Sequence, residues 1–220
     1  MGTISTEKLG LRERKKQRTR QTIVEVGIRM FAERGFAETT LVDIAAAAEV
    51  APSTFFNYFS SKLDIVFGLI DAIVESARER ILLRDEDESA TEAVLAWITD
   101  DLVAVERPYS EAMRSIPRII ASDPELRSAE RLKLALFEDV LAAAYARDLG
   151  ESADGVRARV MAAIALRGMV EVWSSWYQQH AADPDFDLSD ALVLKVEYLE
   201  PALAIGLQAL ALLPTTPATA

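Results

Sequence analysis

The chain of 220 residues has no cysteine and one histidine, His180. Without thiols, neither a disulfide framework nor a thiolate metal site can form. A di-iron helical bundle needs two Glu-x-x-His motifs, and none is present; His180, close to Asp183, reads as a solvated helix end. Glycine is sparse, at nine residues. Neither a glycine-rich phosphate loop nor a G-x-S-x-G elbow occurs. An enzyme therefore has nothing to work with, and no metal or cofactor is expected. Long hydrophobic runs are missing too. Arg167, Glu171, Glu200 and Gln208 interrupt the longest ones, so none reaches the ~18 uncharged residues of a membrane span. An apolar secretory core is absent from the N-terminus. Together these absences predict a cytoplasmic protein with no membrane partner.

Strand-like alternation is also lacking. Half of the residues are apolar, and from Ile23 onward they recur at helical spacing. The expectation is an all-α fold of about nine helices. The first spans about 18–34, with Ile23, Val26, Gly27, Met30 and Phe31 inward and Gly35 at its C-terminal stop. The second starts at Thr40, with Asp43 completing a capping box. The third begins at Pro52, where a missing N–H costs nothing. The fourth covers about 62–83. An acidic run, 85–89, follows as a solvated connector. Five further helices are expected over about 91–106, 110–121, 123–149, 154–181 and 188–213, with Pro117 and Pro201 bending two of them.

The charge is unevenly spread. The whole chain carries 24 Lys and Arg against 35 Asp and Glu, net −11. Residues 1–62 hold ten against seven, and residues 1–20 hold seven against two. An acidic protein with a basic end can still bind a polyanion, because phosphate contacts supply much of the affinity for DNA. Arg12, Arg14, Lys15, Lys16, Arg18 and Arg20 lie just before two short helices joined by a tight turn, TTLVDIAAAAEVAPSTFFNYFSSK. A helix-turn-helix puts its second helix in the major groove, which points to double-stranded DNA. Alternatively, the basic run is only a solvated tail.

The run Ile44, Ala45, Val50, Thr54, Phe55, Phe56, Asn57, Tyr58, Phe59, Lys62 resembles the DNA-binding region of the TetR family of bacterial regulators. The segment DPELR at 123–127 and the pair Trp173 and Trp176 resemble the mycofactocin-type subgroup, which implies an acyl-CoA-like ligand. The chain departs from the family pattern at Glu49, where glycine is usual, at Ala51 in place of a serine cap, and at Phe56 in place of tyrosine.

The resemblance implies a flexible basic arm over 1–17, a DNA-binding domain over 18–69 with its helix-turn-helix at about 40–59, a ligand-binding and dimerisation domain over 70–213, and a disordered tail over 214–220. Ser53, Thr54 and Asn57 are expected to face base edges, with Asn57 on adenine or equally on a phosphate and Phe55 on a thymine methyl. Thr40, Tyr58 and Lys62 are expected on the phosphates, and Arg18 and Arg20 on an adjacent phosphate or in the minor groove. Phe56 and Phe59 are expected in the core. An effector site would use Trp97, Met113, Phe137, Arg167, Trp173, Trp176 and Tyr177. For Arg167, the alternative is a surface pair with Glu171 one turn on. A homodimer interface would use Val160, Ile164, Leu192, Val196, Leu199, Leu203 and Leu207, which would also serve the monomer core. The expected function is a ligand-responsive repressor that binds a palindromic operator and is released by a hydrophobic or acyl-CoA-like small molecule. The alternatives are an activator with the same DNA-binding domain and a helical protein-interaction adaptor.

Overall fold

A computed structural model describes residues 10–102, 110–180 and 188–211, without the side chains of 110–113, 176–180, 188–196 and 211. The start of the expected arm and the 214–220 tail lie outside the described residues. The described backbone is helical with no strand. The order is α1 (Leu11–Arg34), α2 (Leu41–Ala47), α3 (Pro52–Phe56), α4 (Lys62–Ala77), α5 (Ala90–Ala96), α6 (Ser110–Ser122), α7 (Pro124–Leu149), α8 (Val156–His180) and α9 (Leu188–Ala211). α4 and α5 each end in a wider π-helical turn, Arg78–Leu82 and Trp97–Asp101. α6 and α9 run on through Pro117 and Pro201.

The described parts of Met1–Gly68 and Pro108–Arg127 form one compact unit. α1 is its centre. It buries Ile23, Val24, Val26, Ile28, Met30 and Phe31, on more than one side, because α2 and α6 both pack against it. α6 contributes Ile116, Ile119 and Ile120 to this core; sequence spacing had grouped that helix with the second domain. A Cβ at Gly27 would stand 2.9 Å from Cγ2 of Ile65, so glycine permits α1 and α4 to approach closely. Gly35 ends α1 at φ +93°, a backbone that side chains with a Cβ rarely adopt. α1 starts at Leu11, well before the expected residue 18. Arg12, Arg14, Lys15 and Lys16 therefore project from a helix instead of a flexible arm.

Local chemistry shapes the two short helices. The Thr40 hydroxyl accepts from the Asp43 N–H at 3.2 Å, and the Asp43 carboxylate accepts from the Thr40 N–H at 3.2 Å. This is the expected capping box. The turn after α2 is a Schellman motif: the Glu49 N–H donates to Ala46 O and the Val50 N–H to Ala45 O. Glu49 takes the left-handed position at φ +56°. Pro52 opens α3 as anticipated. Asp64 holds the next helix start, accepting from the N–H and hydroxyl groups of both Ser60 and Ser61 at 2.6–3.0 Å.

The described parts of Leu69–Arg107 and Ser128–Ala220 form the second unit. Its core joins Ile81, Val94, Trp97, Leu141, Tyr145, Met161 and Ala165 with Leu199 and Leu203. α8 and α9 lie close together because Gly168 and Gly206 face the side chains of Leu199 and Met161. The acidic run 85–89 is the expected connector, with Asp85, Glu86 and Asp87 exposed, and it is anchored at one end. Glu88 receives both Arg80 guanidinium nitrogens, at 2.9 and 2.5 Å. Arg84, with a fully buried side chain, donates to Ile81 O, Glu88 O, Ala144 O and Asp148 Oδ1. The other Asp148 oxygen accepts the Ala90 N–H at 2.5 Å. One buried cation thus ties the end of α4 and the start of α5 to α7.

Candidate nucleic-acid interface

Successive residues of an α-helix are turned by about 100°, so one buried position orients all of α3. That position is Phe55, at 0% exposure. Its ring lies 6.0 Å from that of Phe59, itself buried as expected. Ser53 and Asn57 then point away from the core, Thr54 and Tyr58 lie on one flank, and Phe56 on the other. Ser53, Thr54 and Asn57 are exposed, and Tyr58 is half-buried. Phe55 is therefore not available to a thymine methyl. Phe56, expected in the core, is 54% exposed. The two aromatics exchange roles because the helix is turned one residue from the expected phase.

A cleft of about 620 Å³ runs between α1 and the Thr54 flank, lined by Arg12, Lys15 and Lys16 with Thr54, Asn57 and Tyr58. Glu13 is its one carboxylate. Three cations thus line one wall and three hydrogen-bonding side chains the other. Such a cleft can hold a phosphate backbone while the outward side chains reach a groove.

Several expected phosphate contacts have other roles. The Lys62 ammonium donates to Phe36 O at 2.6 Å and Ala37 O at 3.3 Å, and sits 4.4 Å from the centre of the Phe36 ring. It secures the loop after α1. The Thr40 hydroxyl donates to Asp43 at 2.6 Å while accepting the Asp43 N–H, and the Thr40 N–H returns to the same carboxylate. Both of its donors are thus committed. The Thr40 hydroxyl and N–H bonds hold the Asp43 carboxyl below the usual aspartate value, so a negative charge stands where the phosphate was expected. Arg20 stacks on Phe59, its guanidinium carbon 4.8 Å from the ring centre, and is half-buried beside Gly68. Arg18 is exposed. Arg12, Lys15 and Lys16, rather than Lys62, Thr40 or Arg20, line the cleft. Their place on the cleft was hidden because a helix start without apolar periodicity leaves no signal.

In the second unit, Trp97 is buried, edge-on to Phe137 with ring centres 5.5 Å apart, and its indole N–H donates to Ser76 at 3.1 Å. Both rings fill the core. Trp173 is half-buried against that core. Arg167 is a surface residue paired with Glu171. This corrects its place in an effector site: the i,i+4 spacing satisfies the guanidinium locally. Leu199 and Leu203 are buried within the chain's own core, and Ile164 and Leu207 pack partly into it. They are therefore not an open face, whereas Val160 is exposed. The side chains of Met113, Trp176, Tyr177, Leu192 and Val196 lie outside the described residues.

Comparison with known proteins identifies the two parts of the chain. Residues 23–69 match the family model "Bacterial regulatory proteins, tetR family", and residues 88–204 match "MftR C-terminal domain". The transcriptional regulator TcmR of Streptomyces glaucescens is 31% identical, over 88% of this chain and 88% of its own. MftR of Mycobacterium tuberculosis, named as a mycofactocin biosynthesis transcriptional regulator, is 30% identical over 81% of this chain and 88% of its own. These relatives are named as regulators, not enzymes. FadR of Bacillus subtilis, solved with stearoyl-CoA, shares the fold with a TM-score of 0.54 at 22% identity, covering 83% of this chain and 97% of that one.

Proposed function

Because the chain belongs to the TetR family of bacterial regulatory proteins, it is a DNA-binding transcriptional regulator, and we propose that it is a repressor that grips a near-palindromic operator as a homodimer in the cytoplasm and lets go on binding a hydrophobic, acyl-CoA-like effector. The observation that carries the DNA half is the cleft between α1 and α3. Arg12, Lys15 and Lys16 meet the phosphates there, with Thr54 and Tyr58 opposite, while Ser53 and Asn57 point outward to base edges. A protein-interaction adaptor would leave this pairing of cations and polar groups without a purpose. None of the described helices is long and apolar enough to cross a membrane.

A single such module presents little surface, and a two-fold dimer reads two half-sites. α9 exposes Tyr198 and Ile205, each at 66%, with Ala202 between them, and α8 exposes Val156 and Val160. This outer face, not the buried Leu199 and Leu203, is the proposed contact between copies. The effector reading rests on the match to the MftR C-terminal domain and on the half-buried Trp173 at the end of an apolar core. Trp176 and Tyr177, on the same helix, remain its proposed companions. Arg167 has no part in it.

Selection of duplexes from a random library by the full chain tests the proposal. Enrichment of an inverted repeat, with binding that weakens steeply with salt, is expected. Ligand retained after expression, identified by native mass spectrometry, should release the selected duplex. Failure to enrich any sequence at low salt would remove the DNA reading, and a duplex indifferent to every retained ligand would remove the effector.

A further inference from the structure

Phe56 is an unusual residue to leave in water. It is 54% exposed, and the ring contact made by its face of α3 is the edge of Phe55, centres 5.6 Å apart and planes at 84°. It belongs to no core. It flanks the outward pair Ser53 and Asn57, on the side away from the cleft that holds Arg12, Lys15 and Lys16. With those cations on one strand's phosphates, as proposed above, Phe56 faces the opposite wall of the groove. A phenyl ring has no hydrogen bond to offer there. The major-groove edge has one apolar group, the 5-methyl of thymine, and this methyl stands out from the pyrimidine toward its own strand's backbone.

We propose that Phe56 selects thymine in each half-site by packing its ring on the 5-methyl group. The inference rests on the DNA-binding reading above and adds a specificity-determining residue to it. The role expected for Phe55 passes to its neighbour, because the phase of α3 buries one ring and presents the other. Contact with a sugar is the competing use of the same ring, and it would be blind to the methyl.

Deoxyuridine separates the two uses, since it pairs as thymine does and lacks only the methyl. The full-length protein and its Phe56→Ala variant are titrated with the selected duplex, each thymine in turn replaced symmetrically by deoxyuridine. Loss of one buried methyl corresponds to about a fourfold loss of affinity per half-site. At one thymine position wild type should lose about that much, and Phe56→Ala should be unaffected by the same replacement. Phe56→Tyr keeps the ring and should keep the sensitivity. Because the residue is exposed, melting curves should show Phe56→Ala folded. If wild type is indifferent to every replacement, or if Phe56→Ala loses as much as wild type does, the assignment to Phe56 is overturned while DNA binding stands. If no duplex is bound at all, both fall.

Discussion

Lys62 and Lys16 are both lysines of the DNA-binding unit; Lys62 turns inward, whereas Lys16 lines the cleft proposed to hold phosphates. The Lys62 ammonium holds Phe36 O and Ala37 O and lies over the Phe36 ring. A hydrogen bond to a charged group contributes about 1.5–3 kcal/mol at best. Lys62 is only half-buried, so solvent screening reduces the two together to about 1–2 kcal/mol. The ring contact adds about 0.5 kcal/mol. Lys62→Ala should therefore destabilise the unit by roughly 2 kcal/mol, lowering the melting temperature by about 4–8 °C for a chain of this size. Lys62→Met, which keeps most of the stem, should recover part of the loss. Phosphates gain nothing from this lysine, so the dependence of log K on log salt should keep its slope. Lys16→Ala should do the reverse. Its melting should be unchanged, and the slope should fall by about 0.9 per half-site, the share of one neutralised phosphate. Calorimetry and fluorescence anisotropy at several salt concentrations, below the lower melting range, measure both. A shallower slope with unchanged melting for Lys62→Ala would refute the inward assignment of Lys62.

Four further outcomes are expected. Glu49→Gly should lie within about 0.5 kcal/mol of wild type in urea unfolding, since relief of left-handed strain of about 1 kcal/mol is offset by glycine's larger unfolded-state entropy; Glu49→Val should cost more than 1 kcal/mol. Asp148→Ala should cost about 3–5 kcal/mol by stranding the buried Arg84, and adding Arg84→Met should recover much of that. Burial pushes the Asp64 carboxyl up, but hydrogen bonds from Ser60 and Ser61 outweigh it and hold the group below its ordinary 3.8. Its folded value is thus depressed, so its contribution is present above that pH and disappears on acidification through the folded value; Asp64→Asn should flatten the acid limb of a stability–pH curve. Ile205→Glu, on the outer face of α9, should yield monomers in sedimentation and weaken operator binding, and a dimer that persists would redirect the search for the interface.

What the sequence revealed and what it hid divide along a physical line. Elements set by neighbouring residues were legible: the capping box of Thr40 and Asp43, Pro52 opening α3, Gly35 closing α1, and the pair of Arg167 with Glu171 as the alternative reading. Elements set by distant residues were not. Lys62 turns inward because a carbonyl 26 residues away accepts a hydrogen bond from its ammonium. Arg84 is buried because Asp148, 64 residues on, meets it. Nothing near Arg84 in the chain distinguishes it from a surface arginine.

The phase of α3 belongs to a third kind. Five residues are too few for apolar periodicity to choose between Phe55 and Phe56. Phe59 lies four residues from one and three from the other, and both spacings share a helix face. Packing decides: Phe55 meets Phe59 inside, and Arg20 stacks on the Phe59 ring. A step of about 100° along a single turn of helix then determines which aromatic ring enters the groove. The same core contact that stabilises the unit thus chooses the side chain that reads the base.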